Sequence, residues 1–258
     1  MHPMLNIAIR AARAAGDAIV REIDRVGDIS VDLKGRNDFV TEVDKRAEKI
    51  IISTIQNSYP DHAFLGEESG RSGESEFIWI IDPLDGTTNF LHGFPHFAVS
   101  IALEHRGRLD QAVIYDPLKQ ELFTASKGKG ATLNNKKIRV SAQHKLEGAL
   151  LGTGFPFRDG AELDQFLASF KALYPKVAGI RRAGAAALDL AYVACGRLDG
   201  FWEYNLKPWD IAAGALLVQE AGGINSELSG GTDYMDNGNI ISANPKMMKA
   251  MLQLLKNK

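Results

Sequence analysis

Residues 79–90 read Trp79-Ile80-Ile81-Asp82-Pro83-Leu84-Asp85-Gly86-Thr87-Thr88-Asn89-Phe90. The apolar run from Phe77 to Ile81 has polar residues on both sides, which predicts a short buried strand. Two carboxylates follow it. Pro83 fixes φ between them and removes a backbone donor, so Asp82 and Asp85 can project toward one point at the sheet's end. Gly86 admits a ligand close to the backbone. Thr87 and Thr88 can cap a helix whose free N–H groups would cradle an anion. Asp-Pro and Asp-Gly are each common turn dipeptides. Two acids beside an anion cradle make little sense, however, without a cation between them.

Outward from this stretch the period changes. Before it, Leu5, Ile9, Ala12, Ile19 and Ile23 recur at helical spacing and predict an amphipathic helix over residues 3–25. Residues 36–40 read as a polar loop. A second helix follows Thr41, faces a core with Ile50, Ile51, Thr54 and Ile55, and stops near Tyr59-Pro60. After it, strands are expected at 97–105, 110–116 and 120–125, with Asp116-Pro117-Leu118-Lys119 as a hairpin turn. Lys127-Gly128-Lys129-Gly130 is another turn, and it lacks the spacing of a phosphate-binding loop. Helices are expected at 161–173, 184–195 and 209–221, the last stopped by Gly222-Gly223. Strands fit 201–204 and 240–242, and the tail from Lys246 is helical. The sum is an α/β protein: an α+β first half, residues 1–140, and an α/β second half, residues 141–258, in one compact unit.

Composition narrows the function. The 258 residues carry 30 Lys and Arg against 32 Asp and Glu, so no basic excess suits a nucleic acid. The single cysteine, Cys195, rules out an internal disulfide framework and reads as a buried small hydrophobe. No apolar run reaches membrane-spanning length. Arg10 and Arg13 interrupt any signal-like start, so a soluble cytoplasmic protein is expected.

Three further acidic stretches stand out. Gly66-Glu67-Glu68-Ser69-Gly70 places adjacent acids in a loop, and the Gly, Ser and Glu content of 70–76 suggests mobility. Thr41 and Asp44 resemble a capping box, a role that competes with a functional one for Asp44. Asp210 stands at a helix start within Trp209-Asp210-Ile211-Ala212-Ala213-Gly214, where capping and metal ligation are both open. Glu67, Asp82, Asp85 and Asp210 are oxygen ligands of the type that Mg²⁺ accepts. His62, His92 and His96 read as surface or packing residues. No Ser/His/Asp or Cys/His set offers a side-chain nucleophile, whereas metal ions can activate water.

Gly66-Glu67-Glu68-Ser69, Asp82 through Phe90, and Trp209 through Gly214, in this order, resemble the inositol monophosphatase family over essentially the whole chain. The opening Met1–Ala8 resembles its bacterial members of SuhB type. The resemblance implies a layered αβαβα sugar-phosphatase fold with the site between the halves. It implies Mg²⁺ as cofactor, two or three ions per site. Glu67, Asp82 and the Leu84 carbonyl would hold the first ion and Asp82, Asp85 and Asp210 the second, with a weaker third near Glu67. Thr87, bonded to Asp44, would orient the attacking water, and Gly86 and Thr87 would donate N–H groups to phosphate. Asp85, Ala186, Glu203 and Asp210 would line the polyol side, with Arg181 nearby. Read alone, Glu203 is also a plain strand-edge acid.

The family is usually dimeric and inhibited by Li⁺. The resemblance therefore implies a homodimer acting on a small phosphorylated polyol or sugar, first of all myo-inositol 1-phosphate. Relatives act on fructose 1,6-bisphosphate, phosphoadenosine phosphates or histidinol phosphate, and specificity rests on few pocket residues. SuhB-type members are also linked, as protein-binding partners, to ribosomal RNA transcription complexes.

Overall fold

The computed structural model describes residues 2–23, 31–35, 38–156 and 161–255. Its first half runs α1 (Pro3–Val20), the hairpin β1 (Val31–Gly35) and β2 (Asp38–Thr41), α2 (Glu42–Gln56), β3 (Ala63–Gly66), β4 (Gly70–Ser72), β5 (Phe77–Asp85), α3 (Thr87–Leu91), β6 (Ala98–His105), β7 (Arg108–Asp116), β8 (Glu121–Ser126), β9 (Gly130–Leu133) and β10 (Lys136–Lys137). The second runs β11 (Leu150–Thr153), α4 (Ala161–Leu173), β12 (Gly179–Arg181), α5 (Ala186–Ala194), β13 (Gly200–Glu203), α6 (Pro208–Glu220), β14 (Ile224–Ser226), α7 (Tyr234–Asn237), β15 (Ile240–Ala243) and α8 (Pro245–Leu255).

Strand β5 sets the layering. Its alternate side chains serve two cores: Trp79 and Ile81 pack with α1 and α2, while Ile80 packs with α5 and α6 on the opposite face. Both faces are covered, so the run is continuously apolar. Around it lies an eight-stranded sheet ordered β10-β9-β8-β7-β6-β5-β3-β4, antiparallel except for the β3–β5 pair. A second sheet, β12-β11-β13-β15-β14, is parallel through its first three strands and antiparallel thereafter. Helices α4 and α8 pack together over its far side. The order helix pair, sheet, helix pair, sheet, helix pair is the expected αβαβα layering.

The middle layer is tight because its residues are small. Ala98, Ala102 and Ala112 of the sheet meet Ala212, Ala213 and Ala215 of α6. Where α6 crosses α5, a Cβ at Gly214 would stand 2.5 Å from Leu190 Cδ1, so only glycine fits.

Several expectations are adjusted. Helix α1 ends at Val20 rather than 25, and residues 24 and 25 lie outside the described residues. The loop expected at 36–40 is in part strand, since Asp38–Thr41 pairs with Val31–Gly35 (residues 36 and 37 are not described). Gly70–Ser72, expected as mobile loop, forms an edge strand on β3. Cys195 is only partly buried, with its thiol pushed up chiefly by that burial. The turn at 127–130 does hold an anion, though it comes from within: Gly128 and Gly130 donate N–H groups to the Glu220 carboxylate at 2.8 and 2.7 Å. Among the described residues no helix is long and apolar enough to cross a membrane.

Candidate active site

Asp82 and Asp85 are three residues apart, so in a regular strand they would face opposite sides of the sheet. The register against β6 slips between them, from Asp82 opposite Ser100 to Asp85 opposite Ala98. This bulge inserts one extra residue and turns both carboxylates to the same side. Leu84 N–H donates to Asp82 Oδ1 at 3.0 Å and fixes that side chain over the bend. Gly86 then takes φ +96°, and a Cβ there would stand 3.0 Å from the His96 carbonyl oxygen. Gly86 itself, not a threonine side chain, occupies the cap position of α3.

The corner opens into a cavity of about 510 Å³. Glu67, Asp82, Leu84, Asp85, Gly86 and Thr87 line it from the first half, and Arg182, Ala186, Glu203 and Asp210 from the second. Every residue expected at the site lines this cleft except Asp44 and Arg181. Asp44 stands one shell behind. Its Oδ1 accepts the Thr87 hydroxyl at 2.9 Å, and its Oδ2 accepts Thr41 N–H at 2.9 Å. The capping box expected at Asp44 is therefore present, and the same carboxylate also holds Thr87. Arg181 is exposed at the end of β12, and its chain neighbour Arg182 lines the cleft instead, over the Phe155 ring at 5.3 Å.

Both halves hold the site together. Asp85 Oδ2 accepts Ala187 N–H at 2.7 Å, so this β5 carboxylate secures the start of α5. Asn89 Nδ2 donates to His96 O at 2.7 Å within the first half and to Ala183 O at 2.9 Å across the same boundary. Asp210 Oδ2 accepts Lys207 N–H at 2.7 Å, a helix-start contact that leaves its carboxylate beside the cleft. Glu203 is buried, not a surface acid. It lies flat over Gly154, where any Cβ would overlap its carboxylate.

The electrostatics are those of crowded carboxylates. Burial first, then the charges of Glu67, Asp85 and Asp210, pushes Asp82 well above the ordinary carboxylate range. Asp85 is raised by burial and then by Asp210, against the opposing Ala187 N–H. Glu203 is raised by burial, then by Asp189 and Asp210, with Arg182 opposing. Among the described residues no three His, Cys, Asp or Glu side chains form a ready-made cage. Mg²⁺ does not demand one, since it keeps several waters and binds through one or two carboxylates plus substrate phosphate oxygens. An all-oxygen set of mutually repelling acids, Asp82 and Asp85 buried and Glu67 and Asp210 half-buried, fits such an ion.

Sequence reasoning missed Arg182, which lines the cleft, and Asp189, whose charge acts on Glu203. Asp189 is buried on α5 and raised by burial and then by Asp85. Of the histidines, His62 stacks between Tyr59 and Phe77 with centroids 4.8 and 4.7 Å away. His96 is buried, and His92 stands on the cleft rim.

Known proteins share this fold. The inositol monophosphatase family profile matches residues 1–258. The Nus factor SuhB of Pseudomonas aeruginosa is 57% identical over 258 residues, covering 98% of this chain and 95% of that protein. The extragenic suppressor protein SuhB of Bartonella henselae superposes with a TM-score of 0.96 at 46% identity, over 99% of each chain. An inositol monophosphatase from Anabaena (Nostoc) gives 0.86 at 38% identity, over 98% of this chain and 95% of that one. With these matches and this cleft, the chain belongs to the inositol monophosphatase family.

Proposed function

We propose that this protein is a Mg²⁺-dependent phosphomonoesterase that hydrolyses a small phosphorylated polyol, with myo-inositol 1-phosphate the leading substrate. The observation that carries this is the convergence of Glu67, Asp82, Asp85 and Asp210 on one cleft that also contains the Gly86 corner. Residues 1–140 supply Glu67, Asp82, the Leu84 carbonyl and Asp85 as ligands, and residues 141–258 complete the set with Asp210. Mg²⁺ bound there supplies an activated water and stabilisation of the leaving alkoxide. Gly86 and Thr87 N–H groups bind phosphate, and Asp44 holds the Thr87 hydroxyl so that it orients the attacking water. Glu203, Asp210 and Asp85 accept hydrogen bonds from the polyol hydroxyls, with Ala186 leaving room for its ring. The same reading carries a cytoplasmic homodimer sensitive to Li⁺.

The test is phosphate release from inositol 1-phosphate, fructose 1,6-bisphosphate, phosphoadenosine phosphate and histidinol phosphate, each with Mg²⁺ and with EDTA. Mg²⁺-dependent turnover favouring inositol 1-phosphate supports the proposal. A different preferred substrate keeps the mechanism and moves the specificity, and no turnover by a folded protein defeats the enzymatic reading.

The relative named a Nus factor favours a second, compatible role as a protein partner in transcription complexes. Such a role needs an outer surface, not the carboxylates. A transcription factor captured equally by wild type and D82N supports it, and capture of none removes it.

A further inference from the structure

Helix α2 contributes nothing to the cavity wall, yet two acids one turn apart on its inner face are buried, Asp44 at 1% and Glu48 at 3% exposure. Asp44 holds Thr87. Glu48 reaches a different segment, the turn between β3 and β4 that carries Glu67. Its Oε2 accepts Glu68 N–H at 2.9 Å and its Oε1 accepts Ser69 N–H at 2.8 Å. The preceding amide, Glu67 N–H, donates to Ile81 O of β5 at 3.1 Å. Three consecutive amides are thus fixed, two by one carboxylate. A turn at a sheet edge ordinarily leaves such amides to water.

We propose that Glu48 is a positioning residue for the cleft: its carboxylate locks the 67–69 turn so that Glu67 is presented toward Asp82. Gly66 belongs to the same device. A Cβ there would stand 2.6 Å from Glu48 Cδ, so the carboxylate reaches the turn only because residue 66 has no side chain. Charge-assisted acceptance of two N–H groups is what allows a carboxylate to stay at this depth. The lock fixes the backbone and leaves the Glu67 side chain to the cleft, where its charge acts on Asp82. Without it, the acidic turn would swing outward to relieve repulsion, and Mg²⁺ would have to reorder it on binding. The metal arm of this inference rests on the phosphatase reading, whereas the hydrogen-bond lock does not.

The test compares E48Q with E74Q, which removes an exposed acid from the loop after β4 and controls for charge. Gln keeps the shape of Glu48 but sets an NH₂ donor against one of the two amides. In E48Q, calorimetry with Mg²⁺ alone should show affinity lowered about 10–100-fold, as for other outer residues that orient ligands. The Mg²⁺ concentration for half-maximal turnover should rise in step, with kcat recovering at saturating Mg²⁺. Unchanged Mg²⁺ affinity in folded E48Q, an equal loss in E74Q, or a kcat deficit that excess Mg²⁺ does not repair would overturn the role. Amide hydrogen exchange in metal-free wild type decides the matter even if E48Q does not fold. Glu68 and Ser69 should be protected like the amides of α2, and rapid exchange there overturns the lock. Wild type that binds no Mg²⁺ defeats the phosphatase reading and the metal arm together. Rapid exchange in a protein that does bind Mg²⁺ defeats the role of Glu48 alone.

Discussion

Replacing Asn89 by alanine should loosen the cleft more than its position on a five-residue helix suggests. The amide has two hydrogens, and both are used: one on His96 O at 2.7 Å, one on Ala183 O at 2.9 Å. A third carbonyl, Gly184 O, lies at 3.4 Å. N89A leaves two carbonyls without their donor, one from each half of the chain. At about 0.5–1.5 kcal/mol net for each bond, the loss is about 1–3 kcal/mol, and the higher end applies if water cannot enter. For a chain of this size each kcal/mol lowers the melting temperature by about 2–4 °C. N89D is the sharper variant, because a carboxylate facing two carbonyl oxygens repels them and should cost more than alanine. Urea unfolding of the three proteins measures the differences. Turnover adds a second readout, since Gly184 and Ala186 line the cavity and the Michaelis constant should rise in both variants. N89A within 0.5 kcal/mol of wild type (about the scatter of neutral surface substitutions), or N89D no less stable than N89A, would refute the tie between the halves.

Three other outcomes follow from the same geometry. D82N should abolish Mg²⁺-dependent phosphate release while keeping the fold. Asp82 is raised above its ordinary 3.8, so the native state retains a proton that the unfolded chain has lost. This carboxyl therefore destabilises the metal-free protein increasingly as pH rises above about 4. Metal-free D82N should gain on wild type over that climb in pH-resolved unfolding, and a constant difference would contradict it. His96 acts with the opposite sign. Burial first, then the Lys119 charge, lowers it from 6.5 to about 4, so stability is lost as pH falls through that window. H96Q should flatten the acid limb between those values, and an unchanged slope would sink the assignment. G154A drives a methyl into the Glu203 carboxylate. Losing a charge-assisted hydrogen bond of about 1.5–3 kcal/mol should cut kcat/KM by about 10-fold or more for a polyol substrate, and wild-type kcat/KM would exclude Glu203 from recognition.

Much of this was legible where the chain repeats a period. The run ending at Ile81, the helix from Pro208 to Glu220 and the strands from Ala98 to Ser126 are long enough for burial to imprint alternation or a 3.6-residue face. Strands β3, β9, β10, β11, β12 and β14 have two to four residues, too few for either pattern, and their neighbours select them instead. The bulge between Asp82 and Asp85 was foreshadowed by Pro83, but which side both acids face depends on the register with Ser100 and Ala98. Glu48 was hidden because the sequence offers little to set it apart from the other charged residues of its helix, Glu42, Lys45 and Lys49. Its spacing of four from Asp44 was the one clue. Arg181 and Arg182 cannot be told apart in the sequence, and the end of β12 decides between them.

Helix α6 begins beside the cleft, where Asp210 caps its own first turn, and is tethered at its far end, where Glu220 lies in the grip of the 127–130 turn. By chain it belongs to the second half, yet its apolar body lies on the first sheet and shares one core with Ile80, Ala102 and Ile114. A bivalve motion about residue 140 would have to peel this helix away, so the cleft has no hinge there. A fragment cut at that point would carry a bare sheet face, and it should precipitate unless the other fragment is made alongside it.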